Sequence, residues 1–313
     1  MPEVVVVGSI NMDLVIKTAR LPKAGETIKG ETFRIIPGGK GANQAVAARN
    51  MGVKSALVGC VGTDVFGREL LQALKEQAVD VRCVEKMPGA STGIASITVD
   101  ENGENRIIVV AGANGKMGLE QISSSADLIS TARIVILQNE IPMETNERVI
   151  EIAHENGVQV LWNPAPACAI PAPLLPLVDI FVLNEVEAAF LTGREVKGIP
   201  SALKAAEKLH DKGAKRIIVT LGDQGAVLFS KNHELQIPAI PVEVVDTTAA
   251  GDSFMGGLAA ALVREEPIEY ALRYAVCAGC LAVTKEGAQP SIPSHAAVIK
   301  TLSDLNHRGS KRR

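Results

Sequence analysis

The chain has 313 residues, 47% of them hydrophobic and 21% charged, and a formal net charge of −3. That length buries a substantial core in one large domain, and so balanced a charge excludes a nucleic-acid binder. No apolar run approaches the roughly 20 residues of a membrane span, and five scattered cysteines suit a reducing cytoplasm better than a disulfide framework.

The four valines Val4–Val7 read as a buried strand, not as the core of a signal peptide. Further β-branched runs follow at Ala56–Cys60, Ile134–Gln138, Gln159–Trp162, Ile180–Leu183 and Arg216–Thr220. Amphipathic helical patterns at Phe66–Gln77, Glu144–Asn156, Ala202–Lys212 and Phe254–Arg264 lie between them. Continuous apolar strands separated by helices predict an α/β fold, with a parallel-rich central sheet covered by helices on both faces. Ligands of such sheets bind beyond the carboxyl ends of the strands.

Two segments break the alternation. Asp13–Ile36 has no helical period, and Thr92–Val110 reads as a hairpin turned by Asp100–Asn105. They predict a small β-sheet lid on a single domain spanning 1–313. Such a lid excludes water from a reaction beneath it. The unpaired edges of the lid make a homodimer the expected assembly. Cys277 and Cys280, in an Ala-rich helical stretch, read as core residues, and the basic tail His307–Arg313 reads as a solvated terminus.

The standard phosphate motifs are absent: Gly39-Lys40 is followed by Gly41, and no strand leads into G-x-G-x-x-G. Five other stretches carry chemistry. In Val245–Phe254 a strand end leads through Thr247, Thr248, Ala249, Ala250 and Gly251 into a helix. Small residues at a helix start leave N–H groups bare for an anion. Asp252 there is either a base for an attacking hydroxyl or a helix N-terminal acid. Pro37–Gln44, with Gly38, Gly39, Lys40, Gly41 and Asn43, leads into a helix expected over Ala45–Asn50, and reads either as a sugar-binding turn or as a flexible loop. Asn11, Met12 and Asp13 follow the first strand, where Asn11 and Asp13 can bind vicinal hydroxyls. Asn184 and Glu187 follow a buried strand and suit nucleotide phosphate and hydrated magnesium. Thr220, Leu221, Gly222, Asp223, Gln224 and Gly225 supply glycines and a hydroxyl for nucleotide phosphates.

Together these stretches resemble the ribokinase (phosphofructokinase-B-type) family of sugar kinases, from about residue 4 to about residue 300. G-G-K-G-A-N and D-T-x-A-A-G-D are the specific pair. The family usually writes the second as G-A-G-D, where this chain has Ala249. The longer matches Gly38–Ala45 and Gly287–Ser291 narrow the resemblance to the ribose-phosphorylating members. The resemblance implies transfer of phosphate from ATP to the 5-hydroxyl of D-ribose. Asp252 is then the base, and Ala249, Ala250 and Gly251 form the anion hole. Asn11, Asp13, Gly39, Asn43 and Glu140 bind ribose, and Asn184, Thr220, Gly222 and Gly225 contact nucleotide. Glu187 orders Mg2+ through water. A K+ site is implied as well, with Asp246 and Ser291 as side-chain ligands and Thr248, Ala282, Lys285 and Gly287 giving backbone oxygens. Val276 stands where a polar residue is expected near adenine, which implies apolar contact there. A kinase for 2-deoxyribose or a ketose, and a non-catalytic sugar sensor, are the alternatives.

Overall fold

The computed structural model describes residues 1–310; Lys311, Arg312 and Arg313, the end of the basic tail, lie outside the described residues. Its main sheet has nine strands: β1 (Val4–Val7), β4 (Ser55–Gly62), β5 (Asp80–Met87), β8 (Ile134–Leu137), β9 (Gln159–Trp162), β10 (Ile180–Leu183), β11 (Arg216–Thr220), β12 (Ala226–Ser230) and β13 (His233–Ile237). Their order is β13-β12-β11-β10-β9-β8-β1-β4-β5. Every pairing from β11 to β5 is parallel, and the β11–β12 and β12–β13 pairings are antiparallel, so β12 alone runs against the other strands.

The four valines show why such strands read as unbroken apolar runs. Side chains alternate across the sheet, and both faces here are covered. Val4 and Val6 join one core, with residues of α1 (Lys40–Asn50), α2 (Val65–Glu76), α8 (Ala250–Val263) and α9 (Ile268–Ala282). Val5 and Val7 join the other, with residues of α3 (Leu119–Ser124), α4 (Ala126–Ser130), α5 (Met143–Glu155), α6 (Glu185–Thr192) and α7 (Ile199–Asp211). The last helix, α10 (His295–Ser310), adds Val298 to the first core.

A second sheet takes the order β3-β2-β6-β7, from β2 (Asn11–Lys17), β3 (Thr32–Gly38), β6 (Gly93–Val99) and β7 (Asn105–Val110). Both irregular segments therefore enter one small sheet, as expected. Its register separates two faces: Asp13, Ala95 and Val109 share one row, and Leu14, Ile35, Ser96 and Ile108 the next. The turn between β6 and β7 is tied by Asp100 Oδ1, which accepts from the N–H groups of Asn102 at 2.9 Å and Glu104 at 3.1 Å.

Three elements differ from expectation. The helix placed at Ala45–Asn50 starts at Lys40, so the glycine-rich stretch is its first turn. β5 was not anticipated because its sequence DVRCVEKM is half polar, as befits an edge strand. The β12–β13 hairpin extends the sheet beyond the parallel core.

Candidate active site

The carboxyl ends of the parallel strands deliver the polar residues to one cleft, as the topology dictates. β1 leads through Gly8–Ile10 to Asn11 and Asp13; β8 leads to Glu140, β9 to Asn163, β10 to Asn184 and Glu187, and β11 to Thr220. The first turn of α1 crosses this cleft because its glycines permit it. Gly39 has φ +88°, and a Cβ on Gly41 would fall 2.6 Å from the Ser9 nitrogen.

A polar cavity of about 420 Å3 collects Asn11, Asp13, Gly39, Lys40, Asn43, Glu140, Asn184, Glu187, Thr220 and Thr247–Asp252. The small sheet roofs it with Ala95, Ile97, Ile107 and Val109. Asn43 Nδ2 donates to Asp252 Oδ2 at 3.0 Å, while the buried Asn43 Oδ1 has no partner among the described residues and stands ready for a hydroxyl. Asn11 Oδ1 accepts from Asn114 Nδ2 at 2.7 Å, so its amide N–H groups are the donors left for a ligand. Glu140 accepts from the Ser9 hydroxyl and, at 3.2 Å, from the Lys40 N–H. Met12, Gly38 and Gly41 do not line the cavity; Met12 is buried in the core beneath it.

The electrostatics follow from this crowding. Burial, with the Glu140 and Asp252 carboxylates nearby, pushes the Asp13 carboxyl up to about 7. Burial pushes the Lys40 ammonium down, but the carboxylates of Asp252, Glu140 and Glu187 more than offset that and hold it above its ordinary value. Burial raises Glu187 against the opposing pull of the Asn184 N–H and Lys40. Glu187 is also locked in a reciprocal cap, its Oε2 accepting from Asn184 N at 2.8 Å.

A second cavity, of about 470 Å3, is mostly apolar. Ile240, Pro241, Val242, Val244, Phe254, Val276 and Val283 form its walls, and Gly222, Asp223 and Gly225 its mouth. Leu221 is buried, and Gln224 lies off this cavity against Gly198. Four residues border both cavities: Thr220, Thr247, Ala250 and Gly251. Ala250 and Gly251 open helix α8 at that junction, after Ala249 at φ +58°. The Ala250 N–H turns back onto Thr247 O at 3.3 Å. The first N–H groups of a helix have no intrahelical carbonyl, so Gly251 presents its N–H at the junction. Asp252, 6% exposed, is tied down by buried amides and is no solvated helix acid.

Behind this turn, Asp246 joins two loops. Its Oδ1 accepts from the Thr248 N–H at 2.9 Å and from the Thr248 hydroxyl, and its Oδ2 from the Gly287 N–H at 2.8 Å. Burial raises its carboxyl, but these hydrogen bonds outweigh burial and hold it below the usual range. Lys285 N meets Ala282 O at 3.3 Å, and Ser291, buried, donates to Ala288 O at 2.8 Å. Of the expected cation ligands, Asp246, Thr248 and Gly287 are thus joined by hydrogen bonds, whereas Ala282 ends α9 and Ser291 pairs within its own turn. Among the described residues no group of three His, Cys, Asp or Glu is placed to hold a metal, and no helix is long and apolar enough to cross a membrane.

The sequence reading assigned no site role to Asn114, Gln138, Asn163 or the apolar segment 239–244, and it placed Gln44 and Thr247 inside motifs without a role of their own. Gln44 sits beside Asn43, and Asn114 lies beyond the Thr92–Val110 hairpin, but only the fold gives them partners 208 and 103 positions away.

The pattern of the pfkB family carbohydrate kinases matches residues 1–295. A ribokinase of Haemophilus influenzae is 40% identical over 302 residues, covering 96% of this chain and 98% of that protein. A deoxyribokinase of Salmonella typhi is 38% identical over 293 residues, covering 93% of this chain and 96% of that one. The structure of an Arabidopsis thaliana ribokinase complexed with ribose and ATP is 36% identical, superposes with a TM-score of 0.89, and covers 96% of this chain and 98% of its own.

Proposed function

The chain belongs to the pfkB family of carbohydrate kinases, and from that premise we propose that it transfers the γ-phosphate of ATP to the 5-hydroxyl of D-ribose. The single observation that carries the reading is that the polar and apolar cavities meet at the first turn of α8, with Asp252 beside the junction.

Ribose sits in the polar cavity. Asn11 donates to its hydroxyls, and Asp13, Glu140 and the Asn43 amide oxygen accept from them. The adenine of ATP sits between Val276, Val283 and Ile240, by apolar contact, and the phosphates run past Asn184, Thr220, Gly222 and Gly225 toward Gly251. The 5-hydroxyl oxygen then attacks the γ-phosphorus, its proton passes to Asp252, and the bond from the γ-phosphorus to the bridging oxygen breaks to release ADP. The α8 N-terminus and Lys40 stabilise the charge on the moving phosphoryl group. Phosphoryl transfer of this kind takes Mg2+ with the nucleotide. Glu187, a carboxylate on the cavity wall fixed by Asn184, would order its water shell. Asp246 and the 282–291 loop suit K+, with one carboxylate among carbonyl oxygens.

The small sheet serves as lid. Its apolar outer row, with Phe33 58%, Ile35 49% and Ile108 70% exposed, is the surface we assign to a second copy. The 38% identity to a deoxyribokinase favours 2-deoxyribose as a second substrate. Phosphorylation of ribose, 2-deoxyribose, fructose and glucose by ATP, followed by product chromatography, tests the reading. Ribose 5-phosphate as the fastest product supports it, whereas a hexose phosphate as the fastest product overturns the substrate assignment.

A further inference from the structure

The carboxylate of Asp252 is held by two amides with different roles. Asn43, which lines the polar cavity, donates to Oδ2 at 3.0 Å. Gln44 lies outside that cavity and is fully buried; its Nε2 donates to Oδ1 at 2.9 Å. Gln44 is itself held from behind. Gln138, also fully buried, donates from Nε2 to Gln44 Oε1 at 2.6 Å, and Asn146 Nδ2 donates to the Gln138 carbonyl oxygen at 2.6 Å. On the flank, Gln44 Nε2 lies 3.4 Å from Asn163 Oδ1, and Asn163 Nδ2 donates to Val182 O at 2.9 Å.

The polarity of this chain has one solution. An ionised carboxylate only accepts, so Gln44 must turn its NH2 toward Asp252 and its oxygen away. That oxygen then requires a donor, and Gln138 supplies it. Room for the Gln138 amide comes from Gly8, where a Cβ would fall 1.9 Å from Gln138 Oε1. The Gln44–Asp252 and Gln138–Gln44 contacts are made by buried protein atoms.

We propose that Gln44, held in place by Gln138, is a positioning residue for the reaction: it fixes Asp252 Oδ1 from beneath and leaves the Oδ2 edge, beside Asn43, for the proton of the attacking hydroxyl. This inference rests on the reading of Asp252 as the base, and the experiment separates the two.

The test is the pH profile of kcat in Gln44→Leu, Gln138→Leu, the double variant, Gln44→Glu and Asp252→Asn. Gln44→Leu is expected to lower kcat about 10- to 100-fold, with KM for ribose and ATP within about threefold, and to move the acid limb up by about one unit. Gln138→Leu shifts both in the same direction by less, and the double variant matches Gln44→Leu because Gln138 acts only through Gln44. Gln44→Glu, nearly isosteric, moves the limb further, since two adjacent carboxyls share a proton. Should the Gln44 variants fail to fold, Gln138→Leu, which touches neither Asp252 nor the cavity, carries the same readout. An unmoved acid limb in the folded variants, or additive losses in the double variant, overturns the proposal while Asp252→Asn remains inactive. Full activity in Asp252→Asn overturns the base reading instead.

Discussion

A Cβ built on Gly256 would fall 2.4 Å from the Cβ of Ala47. Gly256 lies four residues beyond Asp252 on α8, and Ala47 lies four beyond Asn43 on α1. Residues at that spacing share a helix face. The missing side chain therefore lets the two helices touch one turn beneath the Asn43–Asp252 and Gln44–Asp252 hydrogen bonds. Gly256→Ala is expected to destabilise the fold by about 1–3 kcal/mol through overpacking, and to lower kcat by separating Asp252 from its amides. Thermal unfolding and steady-state kinetics check both. Wild-type stability and rate would show that the close approach is not required.

Asp13 gives a pH dependence in two observables. Its carboxyl is raised from 3.8 to about 7, so the folded state prefers it protonated. Its stabilising contribution is full below about pH 4 and is lost as pH rises through about 7, a change on the order of 4 kcal/mol. Asp13→Asn should therefore raise the unfolding midpoint at pH 8. Sugar binding runs the other way, because the carboxylate is the stronger acceptor. The kcat/KM for ribose should fall below about pH 7, and Asp13→Asn should remove that limb. Higher ribose kcat/KM at pH 6 than at pH 8 would contradict the assignment.

Asp246 bridges the Thr247–Gly251 turn and the 285–291 loop, so a cation held there would act on the α8 N-terminus. Activity should rise about tenfold with K+ at constant ionic strength, mainly through kcat, and Asp246→Ala should abolish the response. An unchanged rate when K+ is replaced by tetramethylammonium would remove the cation from the account.

The outer row of the small sheet predicts association. The wild type should sediment as a dimer at micromolar concentration, and Ile35→Glu with Ile108→Glu as a monomer. A monomeric wild type with full activity would refute the pairing.

How much of this the sequence announces depends on what each element is made of. Val4–Val7, Gln159–Trp162, Ile180–Leu183 and Arg216–Thr220 are legible to the residue, because their stretches buried on both faces are apolar runs. β5 hides because an edge strand carries charge. The start of α1 hides because Gly39-Lys40-Gly41 reads as a loop until helix packing shows why only glycine fits there. The motif residues around Asp252 announce themselves, but the apolar cavity does not: its walls at Ile240, Pro241, Val242 and Val244 carry no pattern beyond being apolar. Gln44 and Gln138 are invisible for another reason: an amide chain is defined by partners that only tertiary structure supplies.

The central claim is that Asp252 takes the proton of the attacking hydroxyl at the junction of the two cavities. Its most direct test is kcat for Asp252→Asn with ribose and ATP, with both affinities measured separately by calorimetry. The account predicts a kcat lower by roughly 10²- to 10⁴-fold and affinities changed far less. A folded Asp252→Asn protein with near-normal kcat would contradict it.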